Sequence, residues 1–414
     1  MLLELDAPRG SRRAPLEMSQ PLVPRILRPR RAAPADAVRP TRAEINLEAL
    51  RHNLRVVTRY AGAAKVWAVL KADAYGHGAP AVARTLERVQ GLAGFCVALL
   101  EEAIELREAG IVAPILVMGG HYGGAHDEVI ARDLVPVVHD AEQLGAFARL
   151  VRSGATSGPL DVHLKIDTGM ARLGVTMDIL PALAASLAEF PEVRIRGLMT
   201  HLANADETDA AFTGQQMSRF TEATALLERH GVKADVRHAA NSAALLRGHA
   251  ILDAVRPGLA LFGVSPRVDG LALTRELKPV MRVRSELVSL RDVAAGDPAG
   301  YGGTWKAGRA SRIATLPMGY ADGLSRQLSN RGHVLVRGKR APIVGAVSMD
   351  MAMIDVTEIP GATARDEVVV LGAQEGPLGR DAISADEIAG HAGTIPWEVM
   401  TSISRRVPRF YREP

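Results

Sequence analysis

Eight short apolar runs, at 66–70, 95–99, 115–118, 135–138, 161–166, 195–201, 235–239 and 252–256, alternate with amphipathic segments from residue 41 onward. Runs this short and this apolar read as strands buried on both faces. Between them, Glu101 to Ala109 has a helical period and stops at Gly110, and similar segments lie near 140–152, 178–189 and 213–230. Eight strands alternating with helices is the pattern of a (β/α)8 barrel. A doubly wound open sheet shares the alternation, and strand count alone does not separate the two. The polar residues favour the barrel, because chemistry in that fold gathers at the carboxyl ends of strands. Lys71 follows the first run, Asp167 and Arg172 the fifth, and Asn241 and Ser242 the seventh, while His201 and Arg256 end the sixth and eighth.

Beyond about residue 275 the texture changes. Arg282 to Leu287 alternates as a half-buried strand, and further strands are expected at 311–317, 333–337, 342–347, 352–356 and 367–371. Ser384 and Glu387 have the spacing of a capping box ahead of a helix. The chain therefore divides into an extension (1–40), a barrel (41–275) and a mostly β domain (276–414). The extension holds eight arginines against four acids, is rich in proline and has no hydrophobic period, which predicts disorder. It also lacks the apolar core of a secretory signal.

The remaining 374 residues balance, with 42 basic and 42 acidic side chains. A nucleic-acid binder carries its basic surplus on the folded body, so no nucleic-acid partner is expected. No apolar run approaches the roughly eighteen residues of a membrane span, and no membrane partner or metal is expected either. The single cysteine, Cys96, lies in the strand-like Phe95 to Leu99 and reads as a small buried hydrophobe. One unpaired cysteine suits a reducing, cytoplasmic setting.

Within this frame Lys71 stands where the run Val66 to Leu70 opens into a glycine-rich turn. Desolvation there disfavours the ammonium and favours the amine, the form that makes Schiff bases and takes protons. The plain alternative is a lysine whose stem follows the strand while its head reaches water. Asn241 and Ser242 are helix-capping types ahead of Ala243 to Leu246, and Gly258 allows close backbone approach. Together they suit a phosphate at the loops after the last two strands. No Walker-type loop is present, so a phosphorylated cofactor fits better than a nucleotide.

The strings Lys-Ala-Asp-Ala-Tyr-Gly-His-Gly from Lys71, Lys-Ile-Asp-Thr-Gly-Met-Ala-Arg-Leu-Gly from Lys165, Thr-His-Leu-Ala, Ala-Asn-Ser-Ala-Ala, Arg-Pro-Gly-Leu-Ala-Leu-Phe-Gly, Gly-Tyr-Gly, Gly-Tyr-Ala-Asp-Gly and Ser-Met-Asp occur in that order. As an ordered set they resemble the alanine racemases over about residues 40–410. The resemblance implies a pyridoxal 5′-phosphate (PLP) barrel followed by a β domain. It also implies a head-to-tail homodimer with shared sites and interconversion of L- and D-alanine. By the same resemblance Lys71 carries PLP and serves one face of the substrate, while Tyr301 of the partner subunit serves the other. His201 and Arg256 match supporting residues, Arg256 being the one that faces the pyridine nitrogen. Tyr75, Asn241, Ser242 and Gly258 match cofactor contacts. Arg172 and Met349 match substrate-carboxylate contacts, with Asp350 beside Met349 and Tyr320 near the way in. Lys165 matches a lysine that is carbamylated in some members.

One departure concerns the pocket. Many members have a tyrosine before Arg-Val-Pro-Arg that packs against the cofactor, and here Arg405 takes that place. Serine, or a broader set of amino acids, therefore competes with alanine as substrate. A fold-type III decarboxylase shares the two-domain plan but typically uses a cysteine from its β domain, and residues 275–414 contain none. A non-catalytic PLP carrier is disfavoured by Tyr301 and by the second domain.

Overall fold

The computed structural model describes residues 37–120, 125–265 and 272–413. Eight parallel strands close into a barrel: β1 (Lys65–Val69), β2 (Leu92–Val97), β3 (Ile115–Val117), β4 (Val135–Val138), β5 (Leu160–Asp167), β6 (Val193–Met199), β7 (Val236–His238) and β8 (Ala254–Val255). Closure comes from β4 against β5, with Val137 opposite His163 and Val138 opposite Leu164. The competing open sheet is thereby excluded. Phe95, Cys96, Val97, Ile115, Leu116 and Val117 are fully buried, as strands covered on both faces must be. Cys96 is thus a core residue, and burial pushes its thiol up to about 12.

The helices form where local signals call for them. Asn46 caps Leu47–Ala61 by accepting the Ala49 N–H at 2.9 Å, and Leu47, Leu50, Leu54, Val57 and Ala61 make its buried stripe. Asp140 caps Ala141–Leu150 in the same way. Ser384 caps Ala385–Ala392 from Glu387 N–H at 3.0 Å, but the Glu387 carboxylate pairs with Arg340. The expected capping box is thus made in one direction only.

The second domain is a mixed sheet in the order Ser289–Val293, Ser311–Leu316, Ala352–Asp355, Lys339–Val344, His333–Val336, Glu367–Gly376, Met281–Glu286, Arg42–Asn46 and Arg409–Arg412. Arg42–Asn46, expected inside the barrel segment, instead pairs antiparallel with Met281–Glu286 and parallel with Arg409–Arg412. Its Glu44 explains why. This buried carboxylate meets Arg42, Arg282, Arg284 and Arg412, and three of those lie in the second domain. Of the 1–40 extension, residues 1–36 fall outside the described residues. Arg39, expected to be disordered, clasps buried Asp322 through both guanidinium arms at 2.8 and 2.7 Å.

Candidate active site

β1 ends at Val69, and Lys71 opens a turn that L-residues normally avoid. Ala72, Asp73 and Ala74 have φ of 51, 58 and 52° with ψ of 50, 46 and 50°, and Tyr75 has φ of 53°. This is a full left-handed turn without a glycine, at a cost of roughly 1–2 kcal/mol per residue. Its surroundings offset the cost. The Asp73 carboxylate accepts Ala79 N–H at 2.7 Å, and the buried His77 Nδ1 donates to the carbonyls of Ala74 and Tyr75, both at 2.9 Å. The His77 ring stacks on Phe262. From the second domain, buried Arg409 donates to Gly76 O at 3.0 Å while gathering the carbonyls of Ile403, Ser404 and Val407. A Cβ on Gly76 would stand 2.4 Å from Met400 O, so the two domains meet closely over this turn.

The turn faces a cavity of about 210 Å³ at the carboxyl ends of the strands. Lys71, Tyr75, His201, Asn241, Ser242, Arg256 and Gly258 all line it, as the strand-end reading expects. Burial, and then the nearby charge of Arg172, lowers the Lys71 ammonium from its ordinary value. Lys165 is buried under the mouth on β5 and is brought down to about 8 by burial, then by Arg172 and Arg256. Arg172 is exposed on the loop after β5, where its charge bears on Lys71, Lys165 and His201. Asp167 is not a cavity residue. It spends its carboxylate on the N–H groups of Gly169 and Met170.

Beneath the mouth runs a chain of nitrogen contacts absent from the sequence reading. His163 Nδ1 lies 2.8 Å from His238 Nε2, and His238 Nδ1 lies 2.6 Å from Arg256 Nη1. Arg256 Nη2 donates to Thr200 O at 2.8 Å and Ala239 O at 3.1 Å, and stands 3.4 Å from His201 Nδ1. Burial lowers Arg256 to about 10, so it stays protonated near neutrality. Burial and the Arg256 charge hold His238 and His201 well below the usual histidine range, hence neutral. Gly197 makes room for His163, whose ring would lie about 2.5 Å from a Cβ there.

Two features fit a phosphorylated cofactor. Lys71 and Arg256 line the cavity, and the charges of Lys165 and Arg172 bear on its lining residue His201. On the far side, Ser242 Oγ accepts the N–H groups of Gly258 and Ala260 at 2.9 and 3.3 Å, leaving its own hydrogen to donate. Asn241 caps Ser242–Leu246 through Ala244 N–H at 3.0 Å. Gly258 has a negative φ, so its requirement is room: a Cβ would lie 2.2 Å from the Tyr75 hydroxyl. That hydroxyl is kept neutral by burial, which raises it from its ordinary value.

Tyr301, Tyr320, Met349 and Asp350 do not line this cavity. They stand on the second domain, where the loops of Tyr320 and Met349 are tied by Tyr320 N–H to Ser348 O and Ala321 N–H to Met349 O, both at 3.0 Å. Tyr301 is 76% exposed and Met349 53%, unusual for large apolar groups, while Asp350 pairs with Arg406 at 2.7 Å. Arg405, expected at the pocket wall, is exposed and outside the lining. The Arg409 clasp on Ile403, Ser404 and Val407 holds that turn. The aromatic contributed by the second domain is instead Trp397, on Pro396–Ser402. Its signal in the sequence was faint: one tryptophan in an otherwise ordinary helical stretch.

A closed parallel barrel with a cavity at its strand ends, clasped by a second β domain, defines a two-domain barrel enzyme. Residues 45–266 match the family model for the alanine racemase N-terminal domain, and residues 280–411 the model for its C-terminal domain. The chain belongs to the alanine racemase family, PLP-dependent isomerases that interconvert L- and D-alanine. An alanine racemase of Sorangium cellulosum is 64% identical over 384 residues, covering 91% of this chain and 100% of that protein. The crystal structure of alanine racemase from the D-cycloserine producer Streptomyces lavendulae superposes with a TM-score of 0.84 at 35% identity, covering 91% of this chain and 98% of that one. That of Bartonella henselae, with covalently bound pyridoxal phosphate, gives 0.80 at 29% identity, covering 90% and 99%.

Proposed function

We propose that this chain racemises alanine with Lys71 as the proton-transferring group on one face of the substrate and the partner subunit's Tyr301 on the other. The observation that carries the reading is the separation of the two groups. Lys71 sits in the barrel cavity with its ammonium lowered by burial, while Tyr301 is exposed on a different domain and outside that cavity. A second copy of the chain, head to tail, brings such a tyrosine to the mouth. The exposed Tyr301, Tyr320 and Met349 form the face that this copy would cover.

PLP held by Lys71, Tyr75, Asn241, Ser242 and Gly258 supplies the electron sink that makes an amino acid's Cα–H acidic enough to lose. Lys71 Nζ takes or returns the proton on its face. On the other face the Tyr301 oxygen does so, with neutral His201, its Nδ1 turned to Arg256, left to donate from Nε2 toward that oxygen. Arg256, fixed by His238 and two carbonyls, keeps its proton and offers the cofactor ring a donor rather than an acid. That restrains the electron sink and favours simple proton return over other outcomes. Arg172 and Met349 hold the substrate carboxylate, with Asp350 and Tyr320 beside the way in. Among the described residues no helix is long and apolar enough to cross a membrane, in keeping with a cytoplasmic enzyme.

Mixing two inactive variants tests both the bases and the sharing of sites. Lys71→Ala and Tyr301→Phe homodimers are expected to be inactive as racemases. Reassociated together, they should regain about a quarter of the activity, since half the dimers are mixed and each has one intact site. No recovery from a mixture shown to exchange subunits would defeat the shared site.

A further inference from the structure

The left-handed turn after Lys71 leaves the Ala72 N–H with no backbone partner, and a single side chain supplies one. Glu102 lies on Leu100–Glu108, the helix that follows β2. Its Oε1 accepts Ala72 N–H at 2.6 Å, while Oε2 accepts Ala98 N–H at 2.8 Å and Leu99 N–H at 3.1 Å. We propose that Glu102 is a positioning residue for Lys71, pinning the residue directly after the lysine to the end of the neighbouring strand so that the left-handed turn, and with it Nζ, has one place.

The chemistry of the three donors makes a carboxylate necessary. All three partners are N–H groups, and only an ionised carboxyl is acceptor-only on both oxygens. A glutamine keeps one acceptor and turns an NH2 toward a donor. Charge reinforces the geometry, because Glu102 opposes the lowering of the Lys71 ammonium by burial and Arg172. The other holders of the turn, Asp73, His77 and Arg409, act at Ala74 and beyond. Glu102 acts at the Lys71–Ala72 peptide itself, while Ala74 N–H holds the carbonyl of the preceding Leu70 at 2.8 Å.

The inference rests on Lys71 as the base that serves D-alanine, and the test separates the two claims. Holoenzymes of wild type, Glu102→Gln and Glu102→Asp are reduced with borohydride and mapped. Unreduced portions of the same holoenzymes are compared by visible circular dichroism of the bound cofactor and by primary deuterium isotope effects from each enantiomer labelled at Cα. In Glu102→Gln, kcat should fall about ten- to a hundredfold, as expected for a misplaced reacting group. The isotope effect should rise with D-alanine, where the slowed Lys71 step breaks the labelled bond. It should fall with L-alanine, where the labelled step becomes masked by the slower Lys71 step that follows. The circular dichroism band should change while Lys71 remains the labelled residue. Glu102→Asp, acceptor-only but one methylene short, should lie between the two and reads the same quantities if the glutamine variant folds poorly. Unchanged isotope effects and an unchanged band, with activity falling only as folded protein is lost, would leave Glu102 a structural residue and overturn the proposal. A wild-type enzyme labelled at another lysine would overturn the reading of Lys71 and this inference together.

Discussion

His238 Nδ1 stands 2.6 Å from Arg256 Nη1, and both side chains are buried. Since the arginine donates, His238 Nδ1 must accept, which places the histidine's one hydrogen on Nε2, aimed at His163 Nδ1. The histidine tautomers in the barrel interior are thus dictated by a guanidinium at its mouth.

Removing that acceptor leaves a buried cation one partner short. His238→Ala is expected to cost about 1–3 kcal/mol of stability and, if Arg256 bears on the cofactor as proposed, to lower kcat more than it raises KM. Denaturant titration and steady-state kinetics give both numbers. Wild-type kcat in a destabilised variant would show that Arg256 is held well enough by Thr200 and Ala239.

Acid should destabilise the protein in a window set by the same interior. Burial lowers His163 to about 4 and His77 to about 3 from an unfolded value near 6.5. A histidine depressed in the fold contributes stability that is complete above 6.5 and is lost as pH falls toward its folded value. The urea midpoint should therefore drop between pH 6.5 and pH 4, and His163→Asn should flatten part of that slope. A midpoint constant across this range would contradict the burial of neutral imidazoles.

Selectivity should follow Trp397 rather than Arg405. The tryptophan lines the cavity, whereas Arg405 is exposed and outside it. Trp397→Ala is expected to raise kcat/KM for L-serine relative to L-alanine, by up to about 1–3 kcal/mol as for one small-group contact in a pocket. Arg405→Tyr should leave that ratio nearly unchanged. The reverse pattern would put the 403–407 turn against the substrate.

Lys165, brought to about 8 and buried beside the charges of Arg172 and Arg256, has on the order of a tenth of its amine free at neutral pH. Its amine can add carbon dioxide to give a carbamate anion and a proton, turning a repelled cation into a partner for Arg172. Activity should then rise with bicarbonate in carbon dioxide-depleted enzyme, and mass spectrometry under non-acidic conditions should find the added group. Lys165→Ala should be inactive or slow, and short carboxylic acids should restore part of its rate. Bicarbonate independence would assign Lys165 a plain ammonium.

Much of the local structure was readable. The apolar runs at 66–70, 115–118 and 135–138 became strands at nearly those bounds, because a strand buried on both faces leaves no polar position to blur its ends. Asn241 and Ser384, read as caps, do cap helices because a cap acts across three residues, well within reach of a local pattern. The left-handed turn at Ala72–Tyr75 was invisible for the opposite reason. Nothing in its alanines asks for positive φ, and the carboxylates, imidazole and guanidinium that hold it there come from up to 333 positions away.

By itself the sequence determined the alternation of strands and helices, the lysine at the end of the first barrel strand, the helix cap at Asn241, and the ordered strings that mark the family. These depend on side-chain period and near neighbours. Tertiary structure alone decided that Arg42–Asn46 crosses into the second domain to meet its arginines, and that Arg256 rests on His238. It also decided that Glu102 reaches the peptide after Lys71, that Trp397 and not Arg405 walls the cavity, and that Tyr301 stands away from its own chain's lysine. Each of these is a contact between residues distant in the chain, set by how the elements close on one another, and no local pattern carries that information.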